Sequence, residues 1–212
     1  DPRVADLEAA IYQMMYGTVR EDLSLAREEK WAVACHEAGH ALAIHYQFPG
    51  RRIDYITIQP RTGSLGFVAH REDSINAAGG LSMTRSEIEA DVTVALAGRE
   101  AERLLLGEKG MSAGAGHDLR RANALVRKAV MAWGLDEELG PMALDTEYLR
   151  ADPALAALCT SRCRAWLAEC EQRARGLLEA HKLELQSLAD NLYRKESLDQ
   201  TEIKKLLPDF AT

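Results

Sequence analysis

The most specific chemistry in the chain sits in five consecutive residues, His36-Glu37-Ala38-Gly39-His40. On a helix, positions four apart share a face about one turn from each other, so two imidazoles placed this way can hold one cation. The pattern is H-E-x-x-H, in which both histidines bind zinc and the glutamate acts as general base. A metal ion held there lowers the pKa of a bound water. Glu37 can take that water's proton as it attacks a peptide carbonyl. The same carboxyl can then protonate the leaving amine. Only three positions are fixed, and a pair of packing or surface histidines on a helix would read the same way. Context favours the metal. Good helix formers surround the motif, and Gly39 costs roughly 1 kcal/mol of helix propensity against alanine, which points to another backbone close by.

A catalytic zinc takes three protein ligands and keeps one position open. Several residues could be the third. His45 lies five positions past His40, turned about 140° from it on a helix, and reads as a helix-end residue. His70 closes a strand. Glu100 and Glu102 lie on the next long helix, which is where other zincins place a glutamate. Asp118 follows a glycine-rich loop, where a carboxylate at a helix start is ordinary capping. The fixed glycine and histidine of the short-spacer metzincins are missing after His40. The residues alone leave these candidates open.

The elements that must position the motif are mostly helical. Residues 4–16 carry one apolar stripe (Leu7, Ile11, Met14, Met15) closed by Gly17. Ser24 can cap the motif helix, which runs to about Tyr46 and stops before Pro49-Gly50. Ile53 to Ile58 and Leu65 to His70 read as an antiparallel pair of strands around a turn at Pro60-Arg61-Thr62-Gly63-Ser64. Ala77-Ala78-Gly79-Gly80 is a break. Thr84-Arg85-Ser86-Glu87 is a capping box opening a helix that ends at Gly107. A further helix runs from about Asp118 to Trp133. Pro153 starts a long helix expected to continue to Tyr193, and residues 197–207 form a last short one. The sum is an α+β fold, mainly α-helical, with a small antiparallel sheet and a C-terminal helical bundle.

Composition narrows the function. The 212 residues are 47% hydrophobic and 28% charged, enough for a real core and no signature of disorder. Net charge is -7 and no basic stretch stands out, which argues against a nucleic-acid partner. No apolar run approaches the roughly 18 residues of a membrane span, so this fragment is expected to be soluble. Cys159 and Cys163 sit four apart, unlike C-x-x-C, and with Cys35 and Cys170 they read as small core residues in a reducing compartment.

Beyond the motif, the chain resembles the peptidase domain of the FtsH family, membrane-anchored ATP-dependent zinc proteases of the AAA+ class. His36-Glu37-Ala38-Gly39-His40-Ala41 is similar to that family's zinc helix. Leu96-Ala97-Gly98-Arg99-Glu100-Ala101-Glu102 resembles its L-A-G-R-x-A-E stretch, and Ser112 to Leu119 its T-x-G-A-x-x-D-[IL] segment. Trp133-Gly134, Leu139-Gly140-Pro141, Arg173-Ala174-Arg175, Leu188-Ala189 and Glu196-Ser197-Leu198 extend the likeness over nearly the whole chain.

The resemblance implies Asp118 as third ligand beside His36 and His40, Glu37 as the catalytic residue, and Glu102 as a supporting group. It gives Leu65-Gly66-Phe67-Val68 the role of a strand edge on which an extended substrate pairs. It implies a tail helix of a preceding AAA+ ATPase lid over 1–20 and a zinc peptidase domain over 21–212. The catalytic part of that domain would cover about 21–150 and the helical part about 151–212. No P-loop pattern occurs, so ATP is expected to act only through an ATPase module outside this chain. That module would belong to a longer polypeptide forming a homo-hexamer, anchored in an inner, plasma or organelle membrane through other segments, with this domain in the cytoplasm. The expected activity is endopeptidase cleavage of unfolded or membrane protein substrates. The alternative is a non-catalytic helical oligomerisation module with a structural or vestigial metal site. His117 beside Asp118, Cys35 before the motif, and residues 75–83 depart from the family pattern. An imidazole at His117 could support Asp118 or add a ligand.

Overall fold

The helix that carries the motif, α1 (Arg27–Gln47), is buried from Ala34 to Ile44, so almost every side of its centre touches protein. Its cap is Ala26, with no side-chain bond, rather than Ser24. Glu28 and Glu29 in the first turn offset the helix dipole instead. This computed structural model describes residues 17–20, 22–62, 65–72 and 83–207, with Leu7, Ala10, Ile11, Gln13 and Met14, all five helical, from the preceding segment. The remainder of the expected first helix and the break at Ala77-Ala78-Gly79-Gly80 lie outside the described residues.

Three strands follow or flank α1. β1 (Arg51–Thr57) and β2 (Phe67–Glu72) pair antiparallel from Arg51–Glu72 to Thr57–Phe67, with a register shift between Ile53 and Tyr55. The expected two-stranded sheet has a third member. β3 (Ser197–Asp199) pairs with the other side of β1, giving the order β2-β1-β3. Residues 197–199 are therefore strand, and helix begins only at α7 (Gln200–Leu206), where Asp199 and Glu202 form a capping box. Among the described residues β1 is central and β2 is an edge.

α2 (Arg85–Leu106) opens on the expected capping box. Glu87 N–H donates to Thr84 Oγ1 at 3.3 Å, and Thr84 N–H donates to Glu87 Oε2 at 2.7 Å. α1 and α2 touch backbone to backbone at Gly39: a Cβ built there would lie 2.5 Å from the Ala97 carbonyl oxygen and 2.6 Å from Ala101 Cβ. Gly39 permits the contact that its sequence context suggested. After two 3-10 turns, α3 (Gly116–Arg127) begins, and a π-helical turn carries it on through residue 132.

The long C-terminal helix is broken. α4 (Thr146–Ala151) is short. α5 (Pro153–Ala180) ends at His181, whose φ of -115° and ψ of 32° leave the helical region, and α6 (Lys182–Lys195) starts a new direction. The break lets α6 return onto α1. Tyr46 Oη donates to Glu184 at 2.7 Å, and the Trp31 and Tyr193 rings meet edge to face at 5.6 Å. Leu185, Leu188 and Leu192 of α6 are fully buried in one core with Ala174 and Leu178 of α5. A second core joins α2, α3 and α5 around Trp166, whose indole N–H donates to the buried Asp136 at 2.8 Å. Cys35, Cys159 and Cys170 are buried and all four cysteines are free thiols, consistent with packing roles. No helix among the described residues is long and apolar enough to cross a membrane.

Candidate metal centre

α1 places His36 and His40 one turn apart, with their Nε2 atoms 3.0 Å from each other. α3 brings Asp118 across them from its first turn. Asp118 Oδ2 lies 3.2 Å from His36 Nε2 and 3.6 Å from His40 Nε2. One donor atom from each residue lies within 4.8 Å of the others, and among the described residues no other such group forms. The histidines and Glu37 are buried.

The remaining ring nitrogens are fixed from behind. His36 Nδ1–H donates to Glu102 Oε1 at 2.7 Å, and His40 Nδ1–H donates to the Val94 carbonyl at 2.8 Å, both on α2. Acceptors on both Nδ1 atoms leave both Nε2 lone pairs facing the shared space, as metal-binding imidazoles require. Glu102 does more than orient His36. Its Oε2 accepts from Ser112 N–H at 2.6 Å and so ties down the loop leading to Asp118. Two imidazoles and a carboxylate suit zinc, and three protein ligands leave a coordination position open.

Electrostatics point the same way. Burial opposes a charge on His36, but hydrogen bonds to Asp118 and Glu102 outweigh it and hold its pKa up at about 10. Burial also opposes the Asp118 carboxylate, yet the two imidazoles hold it far below the usual carboxylate range. A site in which carboxylates stabilise positive charge among them is one that attracts a cation. Burial pushes the Glu37 carboxyl up against the pull of the two histidines.

The other candidate ligands lie elsewhere. His45 faces the Tyr46 ring at 4.9 Å, and His70 pairs with Ile53 across the sheet. Glu100 is buried against Arg103 at 2.8 Å and Arg175 at 3.1 Å. His117 is exposed and outside the cluster. Two glycines that the sequence reading did not single out shape the centre. A Cβ on Gly98 would lie 2.6 Å from His36 Nε2 and 2.7 Å from His40 Nε2; one on Gly66 would lie 2.7 Å from Glu37 Oε1. The sequence signals for Gly98 are a glycine kept in a helix interior, where it costs stability, and its place in the L-A-G-R-x-A-E resemblance.

The model of Peptidase family M41 matches residues 23–206. The chain is 35% identical over 212 residues to ATP-dependent zinc metalloprotease FtsH 1 of Symbiobacterium thermophilum, covering 97% of this chain and 33% of that protein. It is 33% identical over 202 residues to the ATP-dependent zinc metalloprotease YME1 homolog of Schizosaccharomyces pombe, covering 95% and 28%. It is 30% identical over 211 residues to ATP-dependent zinc metalloprotease FtsH of Thermus thermophilus, covering 95% and 33%. The chain thus spans about a third of the length of the curated relatives it matches.

Proposed function

Because the chain belongs to peptidase family M41, we propose that it is the zinc-dependent endopeptidase part of an ATP-driven protease, with His36, His40 and Asp118 as metal ligands and Glu37 as the catalytic residue. The convergence of two inward-facing imidazoles and one carboxylate beside a buried glutamate carries this reading. A structural zinc site usually takes four protein ligands, and among the described residues three converge.

Held by His36, His40 and Asp118, a zinc ion would supply Lewis acidity toward a water and a carbonyl at this site. Glu37 accepts the proton of the attacking water on its carboxylate and passes it to the departing amide nitrogen, so one group serves as base and then acid. Glu102 and the Val94 carbonyl hold the imidazoles in one tautomer and orientation throughout.

Substrate binding follows from the sheet. β2 is an edge strand that, among the described residues, pairs only with β1, and Gly66 at its start lies against Glu37. An extended peptide added to that edge is held by main-chain bonds, which tolerate most sequences. Unfolded polypeptide is therefore the substrate class. The curated relatives are named ATP-dependent, which supports an ATPase module acting with this domain in a longer protein. Hexamer formation and membrane anchoring through other segments rest on the family resemblance. Within this chain, residues 21–212 would form the peptidase unit.

The test is casein cleavage by Glu37→Gln and its parent, with zinc content measured in both. Cleavage should fall by about 10²-fold or more while zinc is retained. Equal activity would overturn the assignment.

A further inference from the structure

Residues 17–20, which lead into the peptidase fold, are pinned to the loop after β1. Arg20 N–H donates to the Pro60 carbonyl at 2.8 Å, and Thr62 N–H donates to the Thr18 carbonyl at 3.0 Å. Val19 and Arg61 form an antiparallel bridge between them, and the Thr18 and Thr62 hydroxyls are 3.0 Å apart. Arg61 Nη1 donates to the Gly17 carbonyl at 2.8 Å. Gly17 has φ +81°, and a Cβ there would lie 2.7 Å from the Thr62 carbonyl oxygen, so conformation and approach both demand glycine.

Arg61 also reaches the other way. Its guanidinium carbon lies 5.1 Å from the centroid of the Phe67 ring, within cation–π range. Its Nε is buried with no hydrogen-bond partner among the described residues, an orientation consistent with stacking rather than a fully bonded fork. Phe67 opens β2 opposite Thr57. Its neighbour Gly66 fits between Glu37 and Thr57: an added Cβ would be 2.7 Å from Glu37 Oε1 and 2.8 Å from the Thr57 carbonyl oxygen. One side chain thus bridges the backbone of the entering segment and the strand start beside the general base.

We propose that Arg61 is a positioning residue that couples the segment at Gly17 to the β2 edge, setting where an extended polypeptide docks beside Glu37. The proposal rests on the peptidase reading for the identity of that polypeptide. It acts on substrate binding, because the contacts of the Arg61 side chain are to Gly17 and Phe67, not to the three metal-binding residues or Glu37.

The experiment measures the affinity of zinc-loaded full chain, made inactive by Glu37→Gln, for a fluorescein-labelled unfolded peptide by anisotropy. Arg61→Ala should raise Kd about tenfold with unchanged zinc content. Arg61→Lys, which keeps a donor for the Gly17 carbonyl, should recover part of the loss. Phe67→Leu, which keeps an apolar side chain in β2 but removes the ring, should weaken binding too, and the Arg61→Ala/Phe67→Leu double variant should bind no worse than the weaker single, since the two act through one contact. In the Glu37-containing protein, Arg61→Ala should raise KM by the same factor with kcat within about twofold. Parental affinity in folded Arg61→Ala, additive losses in the double variant, or a loss that tracks zinc content would overturn the coupling. If Arg61→Ala does not fold, parental affinity in Phe67→Leu overturns it alone. A parent that binds peptide in this Arg61-dependent way yet does not cleave it would sink the peptidase reading and leave the coupling standing.

Discussion

Gly98 lies against His36 with no space for a methyl group, since a Cβ there would sit 2.6 Å from His36 Nε2. Two effects oppose each other in Gly98→Ala. The helix gains about 1 kcal/mol of propensity, while the added carbon intrudes on both Nε2 atoms. Overpacking of about 1–3 kcal/mol outweighs that gain, so the expected result is a folded protein of somewhat lower Tm whose zinc content and casein cleavage collapse together. A fully zinc-loaded Gly98→Ala protein would show that the ligand nitrogens do not meet where this geometry puts them.

Asp118→Asn replaces a carboxylate that the two imidazoles stabilise strongly. Bound zinc, measured by elemental analysis, should fall sharply. Undiminished zinc would move the third ligand elsewhere, with Glu102 and His117 the neighbours to examine.

Glu102→Gln probes the support behind His36. The amide can still accept from one side, but it cannot serve His36 Nδ1 and Ser112 N–H as a charged, two-oxygen acceptor. Zinc affinity should drop about 10- to 100-fold, as for other residues that hold metal-binding histidines. Chelator competition reads this directly, and a parental affinity would reduce Glu102 to a packing residue.

Asp136 gives the fold an acid limit. Burial raises its pKa, but the Trp166 indole, the Leu139 N–H and Arg162 outweigh that and lower it below the ordinary 3.8. A carboxyl with a depressed folded pKa contributes stability that is fully present above its unfolded value and is lost as pH falls through its folded one. Trp166 fluorescence should therefore report unfolding that sets in below about pH 4. Asp136→Asn should be less stable at neutral pH and should lose less on acidification. An identical acid profile for the two proteins would refute this role.

Gly39→Ala forces α1 and α2 apart, because the new methyl would lie 2.5 Å from the Ala97 carbonyl oxygen. Overpacking of this kind costs about 1–3 kcal/mol, or a Tm lower by a few degrees in a chain of this size. A rise in Tm would mean that the helices separate freely.

Much of the site was legible because its elements are local. A spacing of four puts His36 and His40 on one face of any helix, and Gly39 signalled the close approach of a second backbone. Thr84 and Glu87 announced their helix by a capping box. What was hidden depends on distant partners. Asp118 is at once a first-turn carboxylate of an ordinary kind and the third member of the cluster, and only the family resemblance separated those roles. The break at His181 is invisible because helix formers flank it without glycine or proline; burial of Leu185, Leu188 and Leu192 against α1 provides the reason to turn. β3 is three residues long and owes its existence to β1 far upstream, so the last helix begins at Gln200 rather than at Ser197.

That third strand bears on the order in which the fold is assembled. Ser197 meets Thr57 across 140 residues, their hydroxyls 2.8 Å apart, so β1 lacks one neighbour until the ribosome has made the segment far downstream. Pairings this remote form late. The sheet that presents Gly66 to Glu37 is therefore completed only after α1, α2 and α3 have all been synthesised.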